Sequence, residues 1–311
     1  MKKMFMAAGM AAVMTACGTA GQKAATDAGN PFLAEYSTPF GVPPFDLIKV
    51  EHYKEAFLKG MEEQKKEIDA IVNQRSVPDF DNTIAAFDQS GELLNKVSTV
   101  FSGLNSCNTN DEMQAFNKEI TPLLSAHRDD ISLNPALFAR VKEVYERREK
   151  LGLDKEQNKL LEETYKKFVR GGANLDSVDQ AKLRQLNSEI SMLQLTFGQN
   201  LLKETNAFEL VIDKKEDLAG LPESLVASAA EAAKGAGMEE KWLFTLHNPS
   251  VMPFLQYADN RELREKIFKG YINRGNNGNE ADNNEIVKKL VALRLEKAKL
   301  MGYADYASFI L

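Results

Sequence analysis

Residues 154–172, DKEQNKLLEETYKKFVRGG, decide the fold class because they mark a helix at both of its ends. Asp154 and Gln157 form the pattern of a capping box, in which each side chain binds a backbone N–H at the helix start. Leu161 and Phe168 then fall on one apolar face. The closing glycine pair is typical of a helix end. The stretch therefore predicts an amphipathic helix that packs against another element.

The same apolar spacing recurs on both sides of this stretch. It predicts further helices over residues 50–61, 84–104, 113–124, 138–145, 183–201, 261–272 and 283–300. Pro122 is expected to kink its helix. We expect the apolar residues between Leu183 and Leu201 to face the core. The predicted fold is therefore mainly α, a lobe of several helices.

Three segments differ from this helical pattern. Residues 207–212 and 242–246 are aromatic and β-branched, as strands are, and we expect them to form a small β element beside the helices. An alanine-rich helix from Pro222 to Gly235 is predicted between them. Residues 31–44 are rich in proline and aromatic side chains, which predicts an extended arm packed onto the helical body.

The first residues have the pattern of an export signal. Lys2 and Lys3 precede an apolar stretch over residues 4–14, which is shorter than the about 20 residues of a membrane span. Residues 14–18, MTACG, resemble the cleavage box of bacterial lipoproteins, in which the chain is cut before the cysteine and the thiol is acylated. Here Cys17 is that cysteine. A plain secretory signal with an incidental cysteine is the alternative.

These features predict three parts along the chain. Residues 1–16 are expected to be a lipoprotein signal peptide, and residues 17–44 a tether that continues into the extended arm. Residues 45–311 are expected to form the helical lobe. Acyl chains on Cys17 would anchor the protein to a membrane on the periplasmic side or in the cell envelope.

Charge and cysteine content argue against two further features. The chain has 39 Lys and Arg against 45 Asp and Glu, a net charge of −6, and no basic run that would bind nucleic acid. The sequence contains two cysteines. If Cys17 is acylated, Cys107 has no partner for an intramolecular disulfide.

The sequence contains no complete catalytic motif. Of its three histidines, none lies in the His-Glu-x-x-His spacing that holds zinc on a helix. We interpret His52 and His127 as members of surface helix pairs with the acidic residue three positions on, and His247 as a hydrogen-bonded turn residue. Residues 275–278, GNNG, indicate a turn rather than a phosphate cradle. We predict no catalytic residue and no metal ligand in this chain.

Several blocks nevertheless resemble one family. Residues 168–175 (FVRGGANL), 260–264 (NRELR) and 294–303 (RLEKAKLMGY) resemble, in this order, segments of the zinc oligopeptidases related to thimet oligopeptidase and bacterial peptidyl-dipeptidase. Residues 30–32 (NPF) and 43–46 (PPFD) resemble the peptidyl-dipeptidase branch. The resemblance covers essentially all of the predicted lobe.

The resemblance implies a helical clamshell with a channel between two lobes. It also implies zinc, held by His-Glu-x-x-His and a later Glu, and no position of this chain matches those ligands. We interpret the chain as the N-terminal portion of a lipid-anchored zinc peptidyl-dipeptidase that releases C-terminal dipeptides from oligopeptides. Residues 304–311 are apolar and carry no stop signal, so we expect a C-terminal catalytic region to be missing and the chain to be inactive alone.

Two other functions are consistent with the same residues. A non-catalytic lipoprotein could use the helical lobe to bind peptides. A purely structural surface lipoprotein is supported only by the predicted anchor.

Overall fold

The computed structural model describes residues 29–311, and these residues are mainly helical, as the sequence predicts. The predicted signal peptide (residues 1–16), the acylation site Cys17 and the tether as far as residue 28 lie outside the described residues. The α-helices are α1 (Val50–Val72), α2 (Ala86–Asp88), α3 (Glu92–Cys107), α4 (Asp111–Ser132), α5 (Pro135–Glu146), α6 (Lys155–Arg170), α7 (Ser177–Ala207), α8 (Glu223–Gly235), α9 (Asn248–Tyr257), α10 (Arg261–Ile272), α11 (Asn284–Leu300) and α12 (Tyr306–Ile310).

The first core lies between α1, α3 and α4 and is rich in aromatic side chains. Phe101 packs edge-on against Phe57 and Phe116, with ring centroids 5.7 and 5.4 Å apart. Tyr53 and Phe57 are each only 1% exposed. Edge-to-face packing is a favoured geometry for aromatic pairs, so these rings fix how the three helices cross.

The second core joins the end of α1 to α5 and α6. The predicted capping box opens α6, because Asp154 accepts a hydrogen bond from the Gln157 backbone N–H at 2.8 Å and Gln157 accepts one in return. Leu161 and Phe168 are buried on the face that packs on α5. The helix ends at Arg170, directly before the glycine pair. The expectations for this stretch are confirmed.

The third core surrounds a two-stranded antiparallel sheet. Strand β1 (Leu210–Ile212) pairs with β2 (Trp242–Phe244), with Leu210 opposite Phe244. Helices α8, α9 and α10 cover this sheet and bury residues such as Phe254 and Ile267. The small β element is confirmed, although both strands are shorter than the sequence predicts.

Helix α7 differs from the expectation for its apolar face. Leu183 and Leu186 are buried, but the apolar residues after them, as far as Leu201, are only half-buried. These residues stay half-buried because α7 lies between the first two cores and the third. It packs on α4 and on α11. It is therefore a bridge between cores rather than a core helix along its full length.

The N-terminal arm also departs from the extended form that its prolines predict. It contains two short 3₁₀ turns, Pro31–Leu33 and Pro39–Gly41. Phe32 is buried in the first core, whereas Phe40 points entirely into solvent. The arm is thus fixed to the body at Phe32 and again at Tyr36, whose ring centroid lies 3.9 Å from Lys96 Nζ.

Two local expectations fail. The helix predicted over 84–104 is divided at Gly91, whose φ of 79° ends one segment and starts α3. Helix α4 continues through Pro122 without a break, and the kink expected there stays a prediction. Helix α9 was not expected, since Asn248-Pro249 reads as a turn, but proline also suits the first turn of a helix.

Gly60 allows the closest approach between two helices in the first core. A Cβ atom at this position would lie 2.9 Å from both the backbone N and the Cα of Leu94 in α3. Gly103, in α3 itself, has open space where its Cβ would be. The two helical glycines therefore have opposite roles, which the sequence alone does not distinguish.

We predict opposite stability changes for Gly60→Ala and Gly103→Ala. Gly60→Ala pushes α1 away from α3 and should destabilise the protein by about 1–3 kcal/mol. Gly103→Ala should stabilise it by about 0.5–1 kcal/mol, because alanine loses less backbone entropy in a helix. Urea unfolding followed by circular dichroism measures both. A stabilising Gly60→Ala would show that the two helices are not held at this distance.

Candidate functional site

Two of the three histidines have structural roles near helix starts. His52 lies in the first turn of α1, where its Nδ1 accepts a hydrogen bond from the Lys49 backbone N–H at 3.0 Å. His247 precedes α9 and contacts Thr245 Oγ1 at 2.9 Å and Asn206 Oδ1 at 3.1 Å. The interpretation of His247 as a hydrogen-bonded turn residue is confirmed.

His127 is placed differently from the sequence interpretation. Its Nε2 lies 2.7 Å from Gln64 Oε1, a residue of α1 that is 63 positions away. Asp130, the expected helix partner, instead forms an ion pair with Arg184 at 2.7 Å. Burial lowers the pKa of His127 below its ordinary value of 6.5, although the charge of Asp130 opposes this shift. His127 is therefore a half-buried, neutral hydrogen-bonding group.

Neither a metal site nor a membrane span is found in the part of the chain that the structure describes. Across residues 29–311 no three His, Cys, Asp or Glu side chains are grouped so that they could hold a metal ion. Over the same range no helix is both long and apolar enough to cross a bilayer. Cys107 is exposed at the end of α3 as a free thiol.

His127 lies in the wall of an apolar cleft between α1, α2, α3, α4 and α6. We call it the helical cleft, and its volume is about 540 Å³. Cavities of about 300–1,000 Å³ with mainly apolar walls and a few polar groups are typical of small-molecule sites. The residues that line it are Gln64, Phe87, Leu94, Ser98, Leu124, His127, Arg128, Ile131, Ser132, Lys167 and Phe168. None of these residues is acidic.

A polar network beside the cleft joins α4 to α7 and α11. Asn187 donates a hydrogen bond to Asp129 Oδ1 at 2.8 Å and accepts one from Lys297 Nζ at 2.6 Å. Burial raises the pKa of Asp129 and lowers the pKa of Lys297. The amide of Asn187 therefore satisfies two ionisable groups that burial would otherwise penalise.

A second polar contact fixes the loop between α10 and α11. The Glu204 side chain, 8% exposed, accepts hydrogen bonds from the Gly275 backbone N–H at 2.9 Å and from the side-chain amides of Asn277 and Asn279. Burial opposes ionisation, but these three donors outweigh it and lower the pKa of Glu204 below 4.5. The turn predicted at residues 275–278 is confirmed, and its amides point at a protein carboxylate.

Comparison with known proteins shows which family this chain resembles. The sequence model of peptidase family M3 matches residues 254–311. The chain is 41% identical over 280 residues to dipeptidyl carboxypeptidase of Escherichia coli (strain K12), which covers 90% of this chain and 41% of the relative. It is 29% identical over 277 residues to oligopeptidase A of Haemophilus influenzae, which covers 87% of this chain and 40% of the relative.

The chain therefore belongs to peptidase family M3, as its blocks and their order indicated. It spans about two fifths of the length of the relatives described above. The main features found in its described residues are the helical cleft and the two polar contacts that hold α7 in place. Sequence reasoning missed all three, because each one joins residues that are far apart along the chain.

We predict that Glu204→Gln destabilises the protein by about 1–3 kcal/mol near neutral pH. The glutamine side chain would place its own NH₂ group against the three hydrogen-bond donors that the carboxylate accepts, and at least one buried group would lose its partner. The pKa of Glu204 is lowered on folding, so its stabilising contribution is present above 4.5 and is lost as the pH falls below that value. The difference in melting temperature between wild type and variant should therefore shrink in acid.

Glu280→Gln is the matched control for this prediction. Glu280 lies in the same loop with its side chain 93% exposed, where it pairs with Lys203 at 3.3 Å. Exposed pairs contribute little, so its removal should leave the melting temperature nearly unchanged at every pH. Equal effects of the two variants would contradict the role assigned to Glu204.

Proposed function

We propose that this chain is the N-terminal helical portion of a longer zinc metallopeptidase that hydrolyses oligopeptides and releases C-terminal dipeptides. The observation that carries the proposal is the 41% identity to a dipeptidyl carboxypeptidase over 90% of this chain. The relatives are more than twice as long as the matched region, so most of their length has no counterpart here.

The residues of this chain do not fit the zinc ion that such a peptidase requires. Zinc takes three protein ligands in catalytic sites, and residues 29–311 contain no group of that kind. We therefore assign no catalytic step to this chain. Its part in the proposed enzyme is to supply a rigid helical lobe against which a catalytic region packs.

We expect the purified chain, supplied with zinc, to show no hydrolysis of an oligopeptide blocked at its N-terminus. Mass spectrometry of the products is the measurement. Hydrolysis should appear when the chain is combined with a separately produced M3 region that contains His-Glu-x-x-His, and dipeptides should be released from the C-terminus. Hydrolysis by the chain alone would contradict the proposal.

Calorimetric titration with the same oligopeptides distinguishes a different function. Saturable heat without hydrolysis, in the presence or absence of the M3 region, would favour the non-catalytic peptide-binding lipoprotein. Neither heat nor hydrolysis in the combined sample would exclude both functions.

The proposal includes export and lipid anchoring at Cys17, which places the protein on the periplasmic side or in the cell envelope. The support is the sequence MTACG over residues 14–18, preceded by two lysines and an apolar stretch. Acyl chains contribute about 0.8 kcal/mol per buried CH₂, so a chain acylated at Cys17 should sediment with membranes.

Cys17→Ser should abolish incorporation of labelled palmitate in cells and move the protein from the membrane fraction to the soluble fraction. Cys107→Ser is the matched control, since Cys107 is an exposed thiol of the folded lobe and should have no effect on labelling. Unchanged labelling of Cys17→Ser would show that the cysteine is incidental.

A further inference from the structure

Two solvent-exposed cations line the helical cleft, and in the described part of the chain the fold does not pair either of them with a carboxylate. Arg128 of α4 and Lys167 of α6 both line it, and within residues 29–311 neither forms an ion pair with a carboxylate. The neighbouring Asp130 is already paired with Arg184. The only hydrogen bond of the Arg128 side chain in the described part of the chain runs from Nε to the Leu124 carbonyl, at 3.3 Å.

The other polar groups of the cleft are hydroxyls and groups that are already occupied. Gln64 accepts from His127 through Oε1, and its Nε2 is directed at Ser90 at 3.4 Å. The hydroxyls of Ser98 and Ser132 have no hydrogen-bond partner among residues 29–311. The cleft therefore offers mainly donors and positive charge. Its free acceptors are the hydroxyl oxygens and the Nδ1 atom of His127, which is unprotonated when Nε2 donates to Gln64.

This balance favours a negatively charged ligand that mainly accepts hydrogen bonds. A peptide brings a backbone N–H at almost every residue, and each N–H requires an acceptor when it is buried. A carboxylate on an apolar chain has acceptors only, and its apolar part matches the walls formed by Phe87, Leu94 and Phe168. Arg and Lys beside a carboxylate form strong charge-assisted hydrogen bonds.

We propose that the helical cleft binds a medium-chain fatty acid, with the alkyl chain in the apolar interior and the carboxylate between Arg128 and Lys167. The site is separate from the zinc chemistry of the proposed peptidase, and it does not depend on that proposal. It is formed by α1, α2, α3, α4 and α6 of this chain.

The test is calorimetric titration of the full chain with decanoate and with decanol. Both are done in the Cys17→Ser variant, so that no acyl chain of the protein itself competes for the cleft. Decanoate should bind saturably with one site. Decanol, with the same alkyl chain and no charge, should bind about tenfold more weakly or not at all, because it lacks the charge-assisted bonds.

Variants test the position of the ligand. The double variant Arg128→Gln with Lys167→Gln should weaken decanoate binding by about tenfold or more and leave decanol unchanged. Lys155→Gln is the matched control, since Lys155 is an exposed lysine at the far end of α6 and outside the cleft. Ser98→Phe should remove binding of both ligands by filling the cleft, while circular dichroism confirms that the fold is retained.

Three results would overturn the proposal. The first is no saturable decanoate binding by a folded chain. The second is equal binding of decanoate to the double variant and to Lys155→Gln. The third comes from the same titration with a short peptide that ends in leucine and has a free C-terminal carboxylate. Saturable binding of this peptide, without binding of decanoate, would assign the cleft to peptides instead.

Discussion

The close contact of α1 and α3 at Gly60 is the constraint on which the rest of the lobe depends. With no Cβ on that residue, the backbone of α3 comes near enough to α1 for Phe57 and Phe101 to meet edge-on. Aromatic pairs of this kind add about 0.5–1.5 kcal/mol beyond their buried area. Because α4 packs against the same rings, the positions of three helices follow from one glycine.

The helical cleft is a consequence of the same geometry. Its walls come from α1, α2, α3, α4 and α6, and α6 is held by the second core. Helix α1 runs through both cores, and the hydrogen bond from His127 to Gln64 links it to α4 at the cleft. A cavity therefore remains between elements that are each well packed.

Polar contacts, rather than a continuous apolar core, connect the parts of the lobe. Asn187 links α7 to α4 and α11, and Glu204 links α7 to the loop before α11. Buried polar networks are costly unless every member is satisfied, and for that reason they permit few alternative arrangements. These contacts fix the position of α7 although most of its apolar side chains are only half-buried. A fixed α7 suits a lobe that is proposed to pack against a second region.

The sequence by itself determined the helical fold class, the small β element, the bounds of α6 and α10 and membership of peptidase family M3. The helices follow from local signals, namely a capping box, a glycine stop and apolar residues spaced by three and four. The β element follows from short aromatic and β-branched runs, and the family follows from several blocks in their order along the chain. The tertiary structure alone decided which of Gly60 and Gly103 touches a neighbour, which partner His127 takes, and what the loop after α10 binds. Those outcomes depend on residues about 60 to 75 positions apart along the chain, or on another helix. A local sequence pattern cannot predict which of these distant residues come into contact in the folded chain.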